Sequence, residues 1–119
     1  MGYEDLKVYE KLYKSALAIY RMTKRFPKEE IYGMTSQIRR AATSIPLNIA
    51  EGYAKRESQE EFKRFLRMAI GSSDEMQVLL EFAKDLEYIE KEQYSRAKAI
   101  YQEISKMLNG MISRMKSEI

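Results

Sequence analysis

The sequence contains no cysteine and no histidine, and these two absences remove most of the chemistry open to a small protein. Without cysteine there is no disulfide, thiolate nucleophile or thiolate metal site, and the chain suits a reducing compartment. Without histidine there is no imidazole acid or base, no His-containing triad, no His-ligated zinc or haem, and no Glu-x-x-His di-iron centre. Tryptophan is also absent, and two prolines and five glycines leave little to interrupt helices. No stretch approaches the roughly 18 consecutive apolar residues of a membrane span, and Met1 to Leu6 lacks the basic-then-apolar order of a secretory signal. Leu6 stands where an N-myristoylation signal carries Ser or Thr. The expectation is a cytoplasmic protein without membrane association, and one that is not an enzyme and has no cofactor or metal.

What is present fits a single helical domain. At 119 residues, 45% apolar and 33% charged, the chain is too apolar for a disordered polymer and long enough for one core. Its net charge of +3 is uneven. Residues 1–56 carry 11 Lys/Arg against 6 Asp/Glu, whereas residues 57–119 carry 10 against 12.

Four segments show apolar residues at three- and four-residue steps, the mark of a helix with one buried face. In the first, about residues 5–25, the face is Leu6, Tyr9, Leu12, Tyr13, Ala16, Ile19, Tyr20 and Thr23, ending at Phe26-Pro27. Pro27 then opens a second segment, about 28–54, with Glu29 and Glu30 at its positive dipole end. Pro46 lies inside that segment, but Ile38, Ala42, Ile45 and Ile49 keep the spacing on both sides of it, so the reading is one helix kinked at Pro46. Ser58-Gln59-Glu60-Glu61 has the capping-box pattern and opens a third helix, about 59–86, with the small residues Gly71-Ser72-Ser73 at mid-length suggesting close helix approach. The fourth, about 90–116, continues its spacing through Asn109-Gly110. No β alternation or repeat competes. Short connections favour antiparallel neighbours, so the predicted fold is all-α, an up-down-up-down four-helix bundle over residues 1–119.

Two surface patterns are candidates for binding. At about 100° per residue, Lys7, Lys11, Lys14, Arg21 and Arg25 fall on one stripe of the first helix, opposite its apolar face and with no acid inside the stripe. Such a stripe can follow a nucleic-acid backbone, each neutralised phosphate adding salt-dependent affinity; it can equally be a solvated outer face. On the second helix Gln37, Arg40, Ser44, Asn48, Glu51 and Lys55 share a polar face. Ser44 and Asn48 flank Pro46 and can bond backbone groups that the proline leaves unpaired, which is the preferred role; the alternative is an interface with charge-assisted contacts at Arg40 and Glu51. The acidic pairs Glu60/Glu61 and Asp74/Glu75 lack the spaced ligands of a calcium loop. Nine tyrosines and eight methionines fit the core and its margins before they fit base stacking or a binding groove.

The order of phrases along the chain adds a resemblance. Tyr3-Glu4-Asp5-Leu6-Lys7-Val8-Tyr9, Phe26-Pro27-Lys28-Glu29-Glu30-Ile31-Tyr32-Gly33-Met34, then the stretch from Gln37 through Arg39-Arg40-Ala41-Ala42-Thr43-Ser44-Ile45-Pro46-Leu47-Asn48 to Gly52, and the stretch from Phe65 to Glu75 together resemble the bacterial four-helix bundle family encoded in intervening sequences of 23S ribosomal RNA genes. The resemblance covers nearly the whole chain. It implies an up-down bundle assembling as a ring, a homopentamer, without enzymatic activity; the family name records where genes were found rather than membership of the ribosome. It also implies kinship with accessory proteins of diversity-generating retroelements, where a basic pentamer binds a reverse transcriptase and nucleic acid. The functional expectation is therefore a self-assembling protein that holds RNA or DNA weakly by its phosphates through Lys7, Lys11, Lys14, Arg21 and Arg25. The alternative is a protein adaptor, such as one docking a reverse transcriptase.

Overall fold

The apolar periodicity resolves into four α-helices in the computed structural model, which describes Gly2, Tyr3 and residues 6–116. Helix α1 spans Lys7–Thr23, α2 Met34–Ala54, α3 Gln59–Asp85 and α4 Lys91–Lys116. A 3-10 turn, Lys28–Glu30, lies between α1 and α2, and there is no strand among the described residues. Each helix packs against the one before and the one after it, and α4 closes back onto α1, so that α1 and α3, and α2 and α4, sit on diagonals. The 48 × 22 × 20 Å envelope is that of helices lying side by side, since a helix the length of α3 is itself about 40 Å long. No helix among the described residues is long and apolar enough to cross a membrane.

The boundaries depart from the sequence expectation at two places. The first helix stops at Thr23 rather than near Arg25, where the Thr23 hydroxyl donates to the Ile19 carbonyl at 2.8 Å. The second does not run from residue 28: Pro27 starts only a 3-10 turn, and Gly33, at φ −116° and ψ −113°, breaks the path before α2 begins at Met34. A Cβ at position 33 would lie 2.6 Å from Glu30 Oε1, and that same oxygen accepts a hydrogen bond from the Met34 N–H at 3.0 Å, satisfying one of the free donors at the start of α2. The chain stays in one α-helix through Pro46.

At the start of α3, Ser58 Oγ accepts from the Glu61 N–H at 3.2 Å as the capping pattern predicts. The reciprocal half is missing, because the Glu61 carboxylate turns to Arg64 instead. The end of α3 is a Schellman-type turn: Tyr88 N–H reaches the Ala83 carbonyl at 2.8 Å, with Glu87 in left-handed geometry at φ 64°.

Fully buried side chains from all four helices make the core, among them Leu12, Ile38, Ile45, Ile49, Leu66, Met76, Leu80, Tyr101, Ile104 and Leu108. Of the apolar residues that the spacing places on the second, third and fourth helices, most are buried or half-buried, but Ile31, Leu86 and Ile100 are exposed. On α1 the core face is Val8, Leu12, Ala16, Ile19 and Thr23, with Tyr13 and Tyr20 turned outward. The α1 face differs from the sequence expectation at these two tyrosines because tyrosine suits a buried and an exposed position alike.

The small residues of α3 act in separate directions. Ser72 shares a 2.7 Å hydrogen bond with Ser44 of α2, while the buried Ser73 donates to the Tyr101 carbonyl of α4 at 2.8 Å and is joined at 2.8 Å by Ser105. Gly71 faces away from both, with nothing within 4 Å of an added Cβ. Close approach instead needs Gly52 of α2, where a Cβ would lie 2.7 Å from Phe65 Cβ and 3.2 Å from Phe62 Cδ1.

The two glycines should therefore respond in opposite senses. Gly52→Ala is expected to lose about 1–3 kcal/mol by overpacking, and Gly71→Ala to gain up to about 1 kcal/mol through helix propensity; urea unfolding of each variant checks both signs. A second expectation concerns pH. The Tyr88 hydroxyl at 2.6 Å, followed by the Met34 N–H, holds the Glu30 carboxyl below the ordinary carboxylate range. A folded pKa below the unfolded one gives stability that is complete above the unfolded value and is lost as pH falls through the folded value. The stability difference between the wild type and Glu30→Gln should thus be largest near neutral pH and shrink below about pH 4, measured as urea midpoints across pH.

Candidate nucleic-acid interface

The cationic face of α1 is built by the same periodicity that buries Val8, Leu12, Ala16 and Ile19, since residues opposite that face must meet solvent. The structure distributes the five expected residues unevenly. Lys7, Arg21 and Arg25 are exposed and pair with no carboxylate among the described residues. Lys11 reaches across to α4 and meets Glu103 at 2.6 Å, and Lys14 meets Glu10 one turn earlier at 2.7 Å. The Lys14 ammonium holds the Glu10 carboxyl below its ordinary range, first through their hydrogen bond and then through charge. The stripe is therefore not free of acids: Glu10 borders it on α1, and Glu103 comes from a helix that the wheel of α1 could not show.

Arg25 also leaves the helical line, because α1 has ended before it. It faces instead a groove of about 840 Å³ beside the α3–α4 turn, shared with Lys84, Asp85, Glu87, Tyr88, Glu90 and Lys91. Lys7, at the opposite end of α1, borders a groove of about 600 Å³ against α4, floored by Leu6, Val8, Met107 and Met111 and edged by Lys106 and Arg114. The two ends of the stripe thus belong to different concave surfaces, joined by the exposed Arg21 and the two paired lysines.

On α2 the predicted polar face divides. Ser44 and Asn48 are structural: Ser44 Oγ bonds the Ala41 carbonyl at 2.8 Å and Ser72, and Asn48 Nδ2 donates to the Ser44 carbonyl at 2.9 Å. These are neighbours of the carbonyl that Pro46 cannot serve, that of Ala42, rather than that carbonyl itself. Arg40 and Glu51 do not meet; Glu51 lies 3.7 Å from Lys55, and Arg40 pairs with no carboxylate among the described residues. Gln37, Arg40 and Ser44 line a groove of about 350 Å³ between α2 and α3, facing Ser72 and Glu75.

Sequence reading missed the exposed apolar surfaces. Tyr3, Tyr9, Tyr13, Leu17, Tyr20, Pro46, Leu47 and Ala50 form an apolar groove of about 330 Å³ between α1 and α2, in which Leu47 is 65% exposed. Along α3 and at the residue that caps it, Met68, Val78, Phe82 and Leu86 are exposed at helical spacing. The signal was present as apolar residues beyond those the core face needed. No group of three or more Asp or Glu among the described residues is placed to hold a metal ion.

The sequence profile of the 23S rRNA-intervening sequence proteins matches residues 4–110. The chain belongs to that family. A crystal structure of a protein of unknown function from the S23 ribosomal protein family of Bacteroides thetaiotaomicron is 32% identical, with a TM-score of 0.81 over 89% of this chain and 95% of that one. No curated protein matches. Membership accounts for the four-helix architecture; what the surface binds must be argued from the surface itself.

The ion pairs of α1 yield a direct expectation for this family member. Glu10→Gln with Glu103→Gln frees Lys11 and Lys14, so the double variant should leave a heparin column at higher salt than the wild type, with helical content unchanged by circular dichroism.

Proposed function

We propose that this protein is a non-enzymatic, self-assembling binding protein of the cytoplasm that holds RNA or DNA through phosphate contacts. The observation that carries the reading is the exposed set Lys7, Arg21 and Arg25, which forms no ion pair among the described residues although acids are nearly as numerous as cations in the chain. Unpaired, solvated cations attract a polyanion and release its condensed counterions on binding; they position the strand without reading its bases. Lys11 and Lys14 join only by exchanging Glu103 and Glu10 for phosphate.

Self-assembly as a homopentamer, which the family resemblance implies, is supported by the exposed apolar residues. The α1–α2 groove and the outer strip of α3 lie on different helices, and two unlike patches suit a head-to-tail contact that closes a ring. A ring repeats each subunit's cations, so that weak individual contacts add along one strand. The second reading, a protein adaptor such as one docking a reverse transcriptase, is favoured by the same α1–α2 groove, because Tyr13, Leu17 and Leu47 offer an apolar surface to a protein partner.

Solution mass with and without a single-stranded RNA tests assembly and binding together. The expected result is an oligomer that gains the mass of RNA at low salt and loses it as salt rises, with Lys11→Glu and Arg21→Glu together reducing affinity. A monomer that ignores RNA, or RNA binding that salt does not weaken, would refute the reading. One stoichiometric protein recovered from nuclease-treated extract would favour the adaptor.

A further inference from the structure

Arg39 and Arg40 are consecutive in the second turn of α2, and the helical step of about 100° sends them around the helix in different directions. Arg39 reaches to the last turns of α1. Its Nε donates to Thr23 Oγ1 at 2.8 Å, its Nη2 lies 3.5 Å from the Tyr20 carbonyl, and its guanidinium carbon sits 4.8 Å from the centre of the Tyr20 ring. These contacts fix the guanidinium in place, yet none of them neutralises it. Arg40 is exposed, and its guanidinium makes no hydrogen bond or ion pair among the described residues. Both arginines line one groove of about 440 Å³, together with Tyr20, Ile31, Thr35, Ser36 and Thr43, and no carboxylate belongs to that lining.

Arg39 and Arg40 are not alone in lacking a carboxylate among the described residues, Arg96 being another, but they share one groove whose lining holds none. Lys11, Lys14, Lys55, Lys63, Arg64 and Lys84 each have a carboxylate within 4.0 Å. Glu30, nearby on the 3-10 turn, is engaged by Tyr88 and Met34. Glu75 shares the groove on the other side of Arg40 but forms no ion pair with it. A half-buried guanidinium held by a hydroxyl and an aromatic ring, beside a second free guanidinium in a concave surface, is pre-organised for a planar array of anionic oxygens. An α1-capping role explains Arg39 through the Tyr20 carbonyl; it does not explain Arg40.

We propose that this groove binds the phosphate of a nucleoside phosphate, Arg40 and Arg39 contacting its oxygens and the exposed part of the Tyr20 ring meeting the sugar or base. The phosphate comes either from a free nucleotide or from a single strand. The strand source rests on the nucleic-acid reading above and moves its principal contact from α1 to α2.

The test compares the full-length wild type with Arg40→Gln, Arg39→Lys and Arg96→Gln, using a fluorescent single-stranded oligoribonucleotide, ATP, AMP and inorganic phosphate as probes at low salt. Arg96, exposed and unpaired on α4, controls for net charge alone. Arg40→Gln is expected to weaken the bound probe about five- to tenfold and to lower the salt slope by about one, while Arg96→Gln changes affinity less than about twofold. Arg39→Lys, which keeps the charge but loses the fork, should also weaken binding. Should it lower the unfolding midpoint, Arg40→Gln still decides, because Arg40 holds nothing in place. Strand binding lost on Arg40→Gln supports the site with a nucleic-acid source. ATP binding lost on Arg40→Gln without strand binding supports the site and refutes the nucleic-acid reading. Strand binding lost on Lys11→Glu and Arg21→Glu but not on Arg40→Gln overturns the site and leaves that reading intact. Equal loss in Arg96→Gln and Arg40→Gln, or binding of no probe but inorganic phosphate, or of none at all, also overturns the site.

Discussion

The close contact of α2 with α3 governs the geometry of this bundle. Gly52 lets the α2 backbone come against Phe62 and Phe65, and further along the same interface Ser44 and Ser72 share a hydrogen bond. One turn of α3 then commits its next residue to the opposite neighbour, Ser73 being buried against the Tyr101 carbonyl of α4. Helix α3 is thereby held on both sides by small residues and hydroxyls, while the large residues Leu66, Met76 and Leu80 fill the space between helices. Close approach at one end of a helix pair and hydrogen bonds at its middle set both separation and register, because packed interiors accommodate little adjustment. Helix α1 is placed by what α2 and α4 leave open. Its surface grooves are consequences of that placement.

Much of this architecture was legible from spacing alone. The buried face of α3 follows the apolar spacing closely, since Phe62, Leu66, Ala69, Met76, Leu80 and Ala83 share one helical face, although Lys63 is buried too. On α4 Tyr101, Ile104, Leu108 and Ile112 are buried while Ile100 is exposed. Boundaries were less legible where backbone geometry, rather than hydrophobicity, decides them. Pro27 is compatible with either an α-helix or a 3-10 turn, and the break at Gly33 depends on the Glu30 side chain occupying the space where a Cβ would stand. The tyrosines of α1 were ambiguous for another reason: a ring that is half apolar and half polar satisfies a core edge and an exposed groove alike.

The candidate surface was legible in composition but not in charge balance. A helical wheel places Lys7, Lys11, Lys14 and Arg21 together correctly, yet it cannot show that Glu103 arrives from α4 to meet Lys11. Nor can it show that Arg39 is spent partly on Thr23 and Tyr20 of α1. Both contacts are tertiary, and the spacing of residues along one helix carries no sign of them. Cations that the fold leaves without a carboxylate among the described residues occur on every helix, Arg67 on α3 and Arg96 on α4 among them, so those at the ends of α1 and in the first half of α2 are set apart by the grooves they line rather than by being unpaired.

That distribution bears on how a bundle without histidine or cysteine can act at all. The buried apolar side chains of the four helices pack against one another, and the grooves lined by charged residues open at the surface, so the binding proposed above is a property of the outer surface. Surface ion pairs are individually weak and yield readily to a better anion, which makes Lys11 and Lys14 conditional contacts and Lys7, Arg21 and Arg40 unconditional ones. On the nucleic-acid reading proposed above, an extended polyanion would meet the unconditional cations first and recruit the conditional ones by displacing Glu10 and Glu103. On the same reading a small anion would span only one groove and gain nothing from that exchange, so that Arg39, held by Thr23 and Tyr20, would matter more to it than the net charge of the whole chain.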